Sequence, residues 1–187
     1  MRIFIAVPIT QTHVQEVDQF RIANDRWLKD EVNIHGLRWM KDDTLHLTSL
    51  FVGEIDPKQL TPIQQQVKLI AQSISPFNLD FEKFCFAPSD KKATMIWARY
   101  AEHAKFTNLQ KQLAAKIGEI VMLTGLHEKA IPHINIARFK PAFTANHKFR
   151  DSAKMSTLQV DCLEIWQSHL DSSAAHYDSI AHFKMAG

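Results

Sequence analysis

With 187 residues, 45% hydrophobic and 22% charged, the chain has the make-up of one globular domain, or of two small lobes sharing a core. A formal net charge of +2 is too small for a protein that coats a duplex with a basic stripe; it suits an enzyme that holds one phosphate or a short nucleic-acid end. Five glycines and seven prolines leave little room for long disordered stretches.

The opening apolar run, residues 3–7, reads as a buried strand and is too short for the core of a signal peptide. Thr10 can cap a helix running to about residue 30, with Val14, Val17, Phe20 and Trp27 on one face. Residues 37–40 form a short strand, Asp42-Asp43-Thr44 a turn, and residues 45–52 a strand ended by Gly53. Asp56-Pro57 opens a second helix whose apolar positions are Leu60, Ile63, Val67 and Ile70. Strands over 77–87 and 94–101 flank a hairpin loop at 89–92. A third helix is predicted over 103–124, with Phe106, Leu109, Leu113, Ile117 and Ile120 inward and Gly125 as its stop. Residues 133–139 form a strand, and 142–155 is ambiguous between a loop and a short helix. Two long strands, 158–169 and 176–185, close the chain around Asp171-Ser172-Ser173.

The sum is about eight strands and three or four helices. There is no βαβ repeat and no Gly-rich phosphate loop, so the expected class is α+β with mainly antiparallel sheet. Each half carries a long helix and then a strand beginning with His, a coarse echo that suggests two related lobes. No segment approaches the length of a membrane span. Cys85 and Cys162 lie far apart, outside any C-x-x-C pair, and read as two reduced thiols in a cytoplasmic protein.

In the strand around Leu45-His46-Leu47-Thr48, alternation turns His46 and Thr48 to one face. By the same rule His133 and Asn135 share a face in His133-Ile134-Asn135-Ile136. Of the ten histidines, only these two have a small neutral hydrogen-bonding residue two positions on. Two imidazoles in one site suit displacement at phosphorus: one, neutral, takes a proton from the nucleophile, and the other, protonated, gives one to the leaving oxygen. A neighbouring hydroxyl or amide can donate to the non-bridging oxygens. Either histidine alone is most simply a strand-end residue with a satisfied hydrogen bond. The pair, 87 residues apart (133 − 46) in an echoing layout, favours catalysis.

These motifs resemble those of the two-histidine phosphoesterase superfamily, and within it the RNA 2′,3′-cyclic phosphodiesterase family, historically called 2′-5′ RNA ligases. The resemblance runs over nearly the whole chain: Arg2-Ile3-Phe4-Ile5-Ala6, then Leu37-Arg38-Trp39 through Leu45-His46-Leu47-Thr48-Ser49-Leu50-Phe51-Val52-Gly53-Glu54, then Pro132-His133-Ile134-Asn135-Ile136-Ala137-Arg138. It implies a bilobal fold with the catalytic strands across a central cleft. It also implies that His46 and His133 are the acid–base pair, that Thr48 and Arg138 bind the phosphate, and that Phe51 and Phe4 contact the nucleoside. Asn135 stands where the family has Thr; its amide can still donate to a phosphate oxygen, with a different reach. Strict alternation would put Phe51 and Arg138 on the wrong face, so a bulge or a strong twist must re-aim them.

The resemblance further implies no cofactor, no metal and no membrane. The ligands would be RNA 3′ ends or 2′,3′-cyclic nucleotides, and the protein a monomer. Two other readings stay open: a related phosphodiesterase acting on a small cyclic nucleotide or an oligoadenylate, and a non-catalytic RNA-end binding module. The remaining histidines lack metal spacing, His127-Glu128-Lys129 reads as a polar loop, and Trp39, Trp97 and Trp166 read as core.

Overall fold

Residues Ile3 to Val7 are buried whichever way their side chains point, because the strand they form is central: Ile3, Ile5 and Val7 enter the main core, and Phe4 and Ala6 lie on the other face under Trp166 and Tyr177. The computed structural model describes residues 1–124, 131–145, 147–150, 153–170 and 175–186. In chain order the elements are β1 (Arg2–Pro8), α1 (Gln11–Asp30), β2 (Arg38–Trp39), β3 (His46–Glu54), α2 (Leu60–Ser73), β4 (Phe77–Leu79) and β5 (Phe81–Ala87). There follow β6 (Ala93–Tyr100), α3 (Ala104–Gly118), β7 (His133–Phe143), β8 (Leu158–Val160), β9 (Cys162–Leu170) and β10 (Ala175–Lys184). The class is α+β with antiparallel sheet, as expected.

The main sheet runs β10-β9-β1-β3-β7-β6-β5, with β2 also pairing β7, and β4 and β8 form a separate two-stranded ladder. The strands β3 and β7, which carry the two histidines, meet at one residue pair, Leu47 with Ile134. That pair joins a first half, β10-β9-β1-β3, to a second, β7-β6-β5 with β2. Leu47 and Ile134 are both fully buried, so the junction is tied into the core while their neighbours along each strand turn to the opposite face.

The helices cover the core face. In α2, Ile63, Val67 and Ile70 repeat at helical spacing and pack toward β9 and β10 of the first half; α3 lies against β3. The first helix, α1, crosses to the second half, where the Phe20 ring stacks on Phe84 with centroids 3.8 Å apart. Burying a side chain of this size contributes about 1.5–3 kcal/mol. One continuous apolar core underlies both halves. No helix among the described residues is long and apolar enough to cross a membrane.

Several boundaries differ from the sequence reading. Two predicted strands are each broken in two, which raises the count to ten strands among the described residues. The third helix stops at Gly118 and not near 124. Glycine is a poor helix former, and the amides of Ile120 and Val121 both turn back onto the Ile117 carbonyl (2.9 and 3.0 Å). The ambiguous stretch after residue 142 contains no helix among its described residues. The buried Asn24 accepts from the Arg150 amide (3.1 Å), and the Phe149 ring packs on Phe86 (4.6 Å) and Phe20 (5.0 Å), which fixes this segment as an irregular cover over α1. Gly53 does not end β3, which continues to Glu54; its φ of +91° absorbs an irregularity where Ile3 pairs with Gly53 and Phe4 with Phe51. Gly125, His127-Glu128-Lys129 and the turn Asp171-Ser172-Ser173 lie outside the described residues.

Candidate active site

Two bulges aim the site. Along β3, Thr48 pairs with Ala6, Leu50 with Ile5 and Phe51 with Phe4, so Ser49 is an extra residue. Along β7, Asn135 pairs with Trp97, Ala137 with Ile96 and Arg138 with Met95, so Ile136 is extra. One unpaired residue resets the two-residue alternation. Ser49 with Leu50, and Ile136 with Ala137, are therefore buried as neighbouring pairs, and Phe51 and Arg138 emerge on the face of the histidines. The two motifs share one burial sequence from His46 to Phe51 and from His133 to Arg138, and their bulges repeat at the histidines' own spacing (136 − 49 = 87).

Both imidazoles are locked in the same way. The Nδ1–H of His46 donates to the Thr44 carbonyl at 2.7 Å, and that of His133 to the Ile131 carbonyl at 2.8 Å. A carbonyl oxygen can only accept, so Nδ1 must carry the proton and Nε2 is the titrating nitrogen of both rings. The Nε2 of His46 faces the Thr48 hydroxyl at 3.0 Å. Asn135 does not mirror that contact. Its side chain donates to the Ala137 carbonyl (3.1 Å) and accepts from Arg138 Nε (2.9 Å); the reverse orientation would set carbonyl against carbonyl and N–H against N–H.

Aromatic rings wall the histidines. His46 lies against Phe4 (4.8 Å between centroids), Trp166 (5.0 Å) and Tyr177 (5.5 Å), and His133 stacks on Trp97 at 3.7 Å. The Trp166 indole N–H donates to Glu164 at 2.6 Å, and that carboxylate also receives Ser179 (2.9 Å) and His182 (3.0 Å). Phe51 stacks beside Phe4 at 5.6 Å but stays 48% exposed, with the Arg2 guanidinium 5.7 Å over its ring, so one of its faces is open to a further planar group. The structure thus brings His46, Thr48, Phe4 and Phe51 together on one half, and His133, Asn135 and Arg138 on the other. Trp166 is buried, as read from the sequence, in a small cluster with Phe4 and Ala6 that also borders His46. Trp97, read as core, is only half-buried and stacks on His133, and Tyr177, which sequence reasoning passed over, borders His46. Trp39 does face away, its N–H bonded to Asp25 on α1 at 2.6 Å.

Burial holds the basicity of His46 down. The bond to Thr44 opposes that effect, while the charges of His133 and Arg138 reinforce it, and the ring falls from an ordinary 6.5 to about 4. Those two charges act on His46 because the β3–β7 junction brings the halves together. The folded protein therefore resists protonating His46 at pH values where the unfolded chain accepts the proton. Stability is fully present above about 6.5 and is lost as pH falls from there through about 4, by on the order of 3 kcal/mol from this group. Urea unfolding at pH 7 and pH 4.5 should show a larger loss for the wild type than for His46→Gln; equal losses would remove His46 as the cause.

Three kinds of comparison bear on this geometry. A family model described as LigT-like phosphoesterase matches residues 23–97, a span that includes the first histidine motif. An RNA 2′,3′-cyclic phosphodiesterase of Aquifex aeolicus is 24% identical over 166 residues, covering 86% of this chain and 88% of that protein. One of Bacillus subtilis is 24% identical over 189 residues, covering 98% and 96%. The chain is similar to the LigT-like phosphoesterases over residues 23–97 and to these two phosphodiesterases over most of its length. This similarity supports a hydrolase. The fold of this chain is also that of TT0787 from Thermus thermophilus, with a TM-score of 0.80 at 21% identity and coverage of 100% and 99% of the two chains. E. coli LigT in its apo form superposes with a TM-score of 0.74 at 15% identity, covering 100% and 98%, and has also been solved with 3′-AMP and with phosphate.

Proposed function

We propose that this chain opens 2′,3′-cyclic phosphates at RNA 3′ ends to leave a 2′-phosphate, using its own side chains and no metal. One observation carries the reading: two histidines on one face, each tautomer fixed through Nδ1, with the Arg138 charge close enough to act on His46. The names of the relatives support the substrate. The apolar core shared by the two halves supports treating the chain as one bilobal catalytic unit.

His46, neutral at pH 7, takes the proton of the attacking water at Nε2. The water oxygen bonds to phosphorus, the bond from phosphorus to O3′ breaks, and His133 gives its proton to O3′. Thr48 and Arg138 supply donors to the non-bridging oxygens, where charge builds. Asn135 lines the same face. Phe51 forms the platform for the nucleoside; Phe4, expected from the sequence to contact it too, is buried beneath Phe51 and His46 and supports those rings instead. With a 5′-hydroxyl in place of water, the same steps join two ends through a 2′–5′ bond.

The test is an oligonucleotide ended by a 2′,3′-cyclic phosphate, incubated in EDTA. The expected product carries a 2′-phosphate, and kcat/KM follows a bell whose acid limb lies well below the 6.5 of a free imidazole. A 3′-phosphate product, or activity that returns only with added divalent metal, would overturn the mechanism. Turnover of cyclic mononucleotides or oligoadenylates in preference to the oligomer would move the substrate to that class. Binding without turnover would leave an RNA-end binding module.

A further inference from the structure

We infer that Asn135 serves the reaction through Arg138, as a positioning residue that aims the guanidinium, and does not itself bind the phosphate. The inference rests on the reading of Arg138 as a phosphate ligand.

The two motifs are near-copies in backbone, so their differences are informative. In the first, the residue two past the histidine turns back to its own imidazole: Thr48 meets His46 at 3.0 Å. In the second, the equivalent residue turns forward, and Asn135 meets Arg138 Nε at 2.9 Å. The Ile136 bulge makes this reach possible. It places residues 135 and 138 on the same face, three positions apart, where a strict strand would separate them. The first motif carries a bulge too, but its equivalent of Arg138 is Phe51, which offers no donor to accept from. Asn beside Arg and Thr beside Phe are therefore matched pairs.

Chemistry favours the same division of labour. The Asn135 carbonyl is spent on Arg138, and one amide hydrogen on the Ala137 carbonyl, which fixes the plane of the side chain. Arg138 is exposed, so without a tether its long side chain would sample many rotamers. A bond at Nε leaves the four Nη hydrogens of the guanidinium for a phosphate. Asn135 lies on the histidine side of Arg138 along β7, so the bond draws the guanidinium toward the reacting centre. A threonine hydroxyl sits one bond nearer the strand and would have to extend further to reach the same nitrogen.

A double-mutant cycle with Asn135→Ala and Arg138→Ala tests this, read as kcat/KM on the cyclic-ended oligonucleotide. If Asn135 works through Arg138, its replacement costs about 10-fold in the wild-type background and under about 2-fold once Arg138 is gone. Equal penalties in both backgrounds, or no penalty in the wild type, would overturn the proposal; the first would mean that Asn135 touches the phosphate itself. A second readout does not depend on turnover. The Arg138 Nε–H signal in a nitrogen–proton NMR spectrum, assigned by its loss in Arg138→Ala, should exchange with water more slowly in wild type than in Asn135→Ala. Identical exchange with an otherwise unchanged spectrum would rule out the tether. Should the wild type fail to open cyclic phosphates, the proposed reaction falls. The Nε–H exchange and the same cycle, read from binding of inorganic phosphate, would then still decide between the two roles of Asn135.

Discussion

His46→Ala and His133→Ala should each lower kcat/KM on a cyclic-phosphate-ended oligonucleotide by ~10²–10⁴-fold while leaving a folded protein. The size follows from the task. Each Nε2 exchanges a proton in the transition state, and among the described residues no other titratable side chain bonds to the same two carbonyls to take its place. The fold should survive, because both rings are only partly buried and the residues that close the β3–β7 junction are Leu47 and Ile134. The two variants should differ in the pH dependence of what activity remains. Without His46 the acid limb it sets near 4 disappears, whereas without His133 that limb stays and the basic one is lost. Because the two act as a unit, the double variant should be little worse than either single one. Wild-type-like turnover in either single variant would end the two-histidine mechanism.

Much of this site could be read from the order of residues along two strands. Alternation alone puts His46 with Thr48 and His133 with Asn135, and the structure keeps both pairs together. The bulges were legible only as a need: Phe51 and Arg138 stand at odd spacings from their histidines, so some irregularity had to re-aim them. Its location has a faint trace in β7, where Ile136 and Ala137 are consecutive apolar residues ahead of an exposed arginine. In β3 the matching pair is Ser49 and Leu50, and a buried serine gives no such hint. The aromatic wall was not legible. Trp97 meets His133 because β6 and β7 pair in one particular register, and Trp166 meets His46 across β1; neither register is written in local sequence. The Asn135–Arg138 bond was hidden for the same reason, since it exists only once the bulge has put both residues on one face.

The shared backbone of the two motifs makes their one chemical difference, Phe51 against Arg138, the source of direction in the site. The β3–β7 pair is antiparallel, so the two motifs run outward from the junction in opposite senses. The exposed ring of Phe51 and the guanidinium of Arg138 therefore flank the histidines on opposite sides. A terminal nucleotide with a cyclic phosphate is likewise two-ended, a planar base and a charged phosphorus. Its base suits Phe51 and its phosphate suits Arg138. Phe51→Ala should then act mainly on KM, because stacking is present before and during the reaction; losing one aromatic platform costs ~1–3 kcal/mol of base binding. Arg138→Ala should act mainly on kcat, by ~10²–10³-fold, because its donors matter most where negative charge grows. Steady-state kinetics on one cyclic-ended oligonucleotide separates the two effects. The reverse pattern, with Phe51→Ala slowing turnover at saturation and Arg138→Ala only weakening binding, would mean that the substrate lies the other way round. Equal effects on both constants in both variants would mean that neither residue distinguishes the two ends.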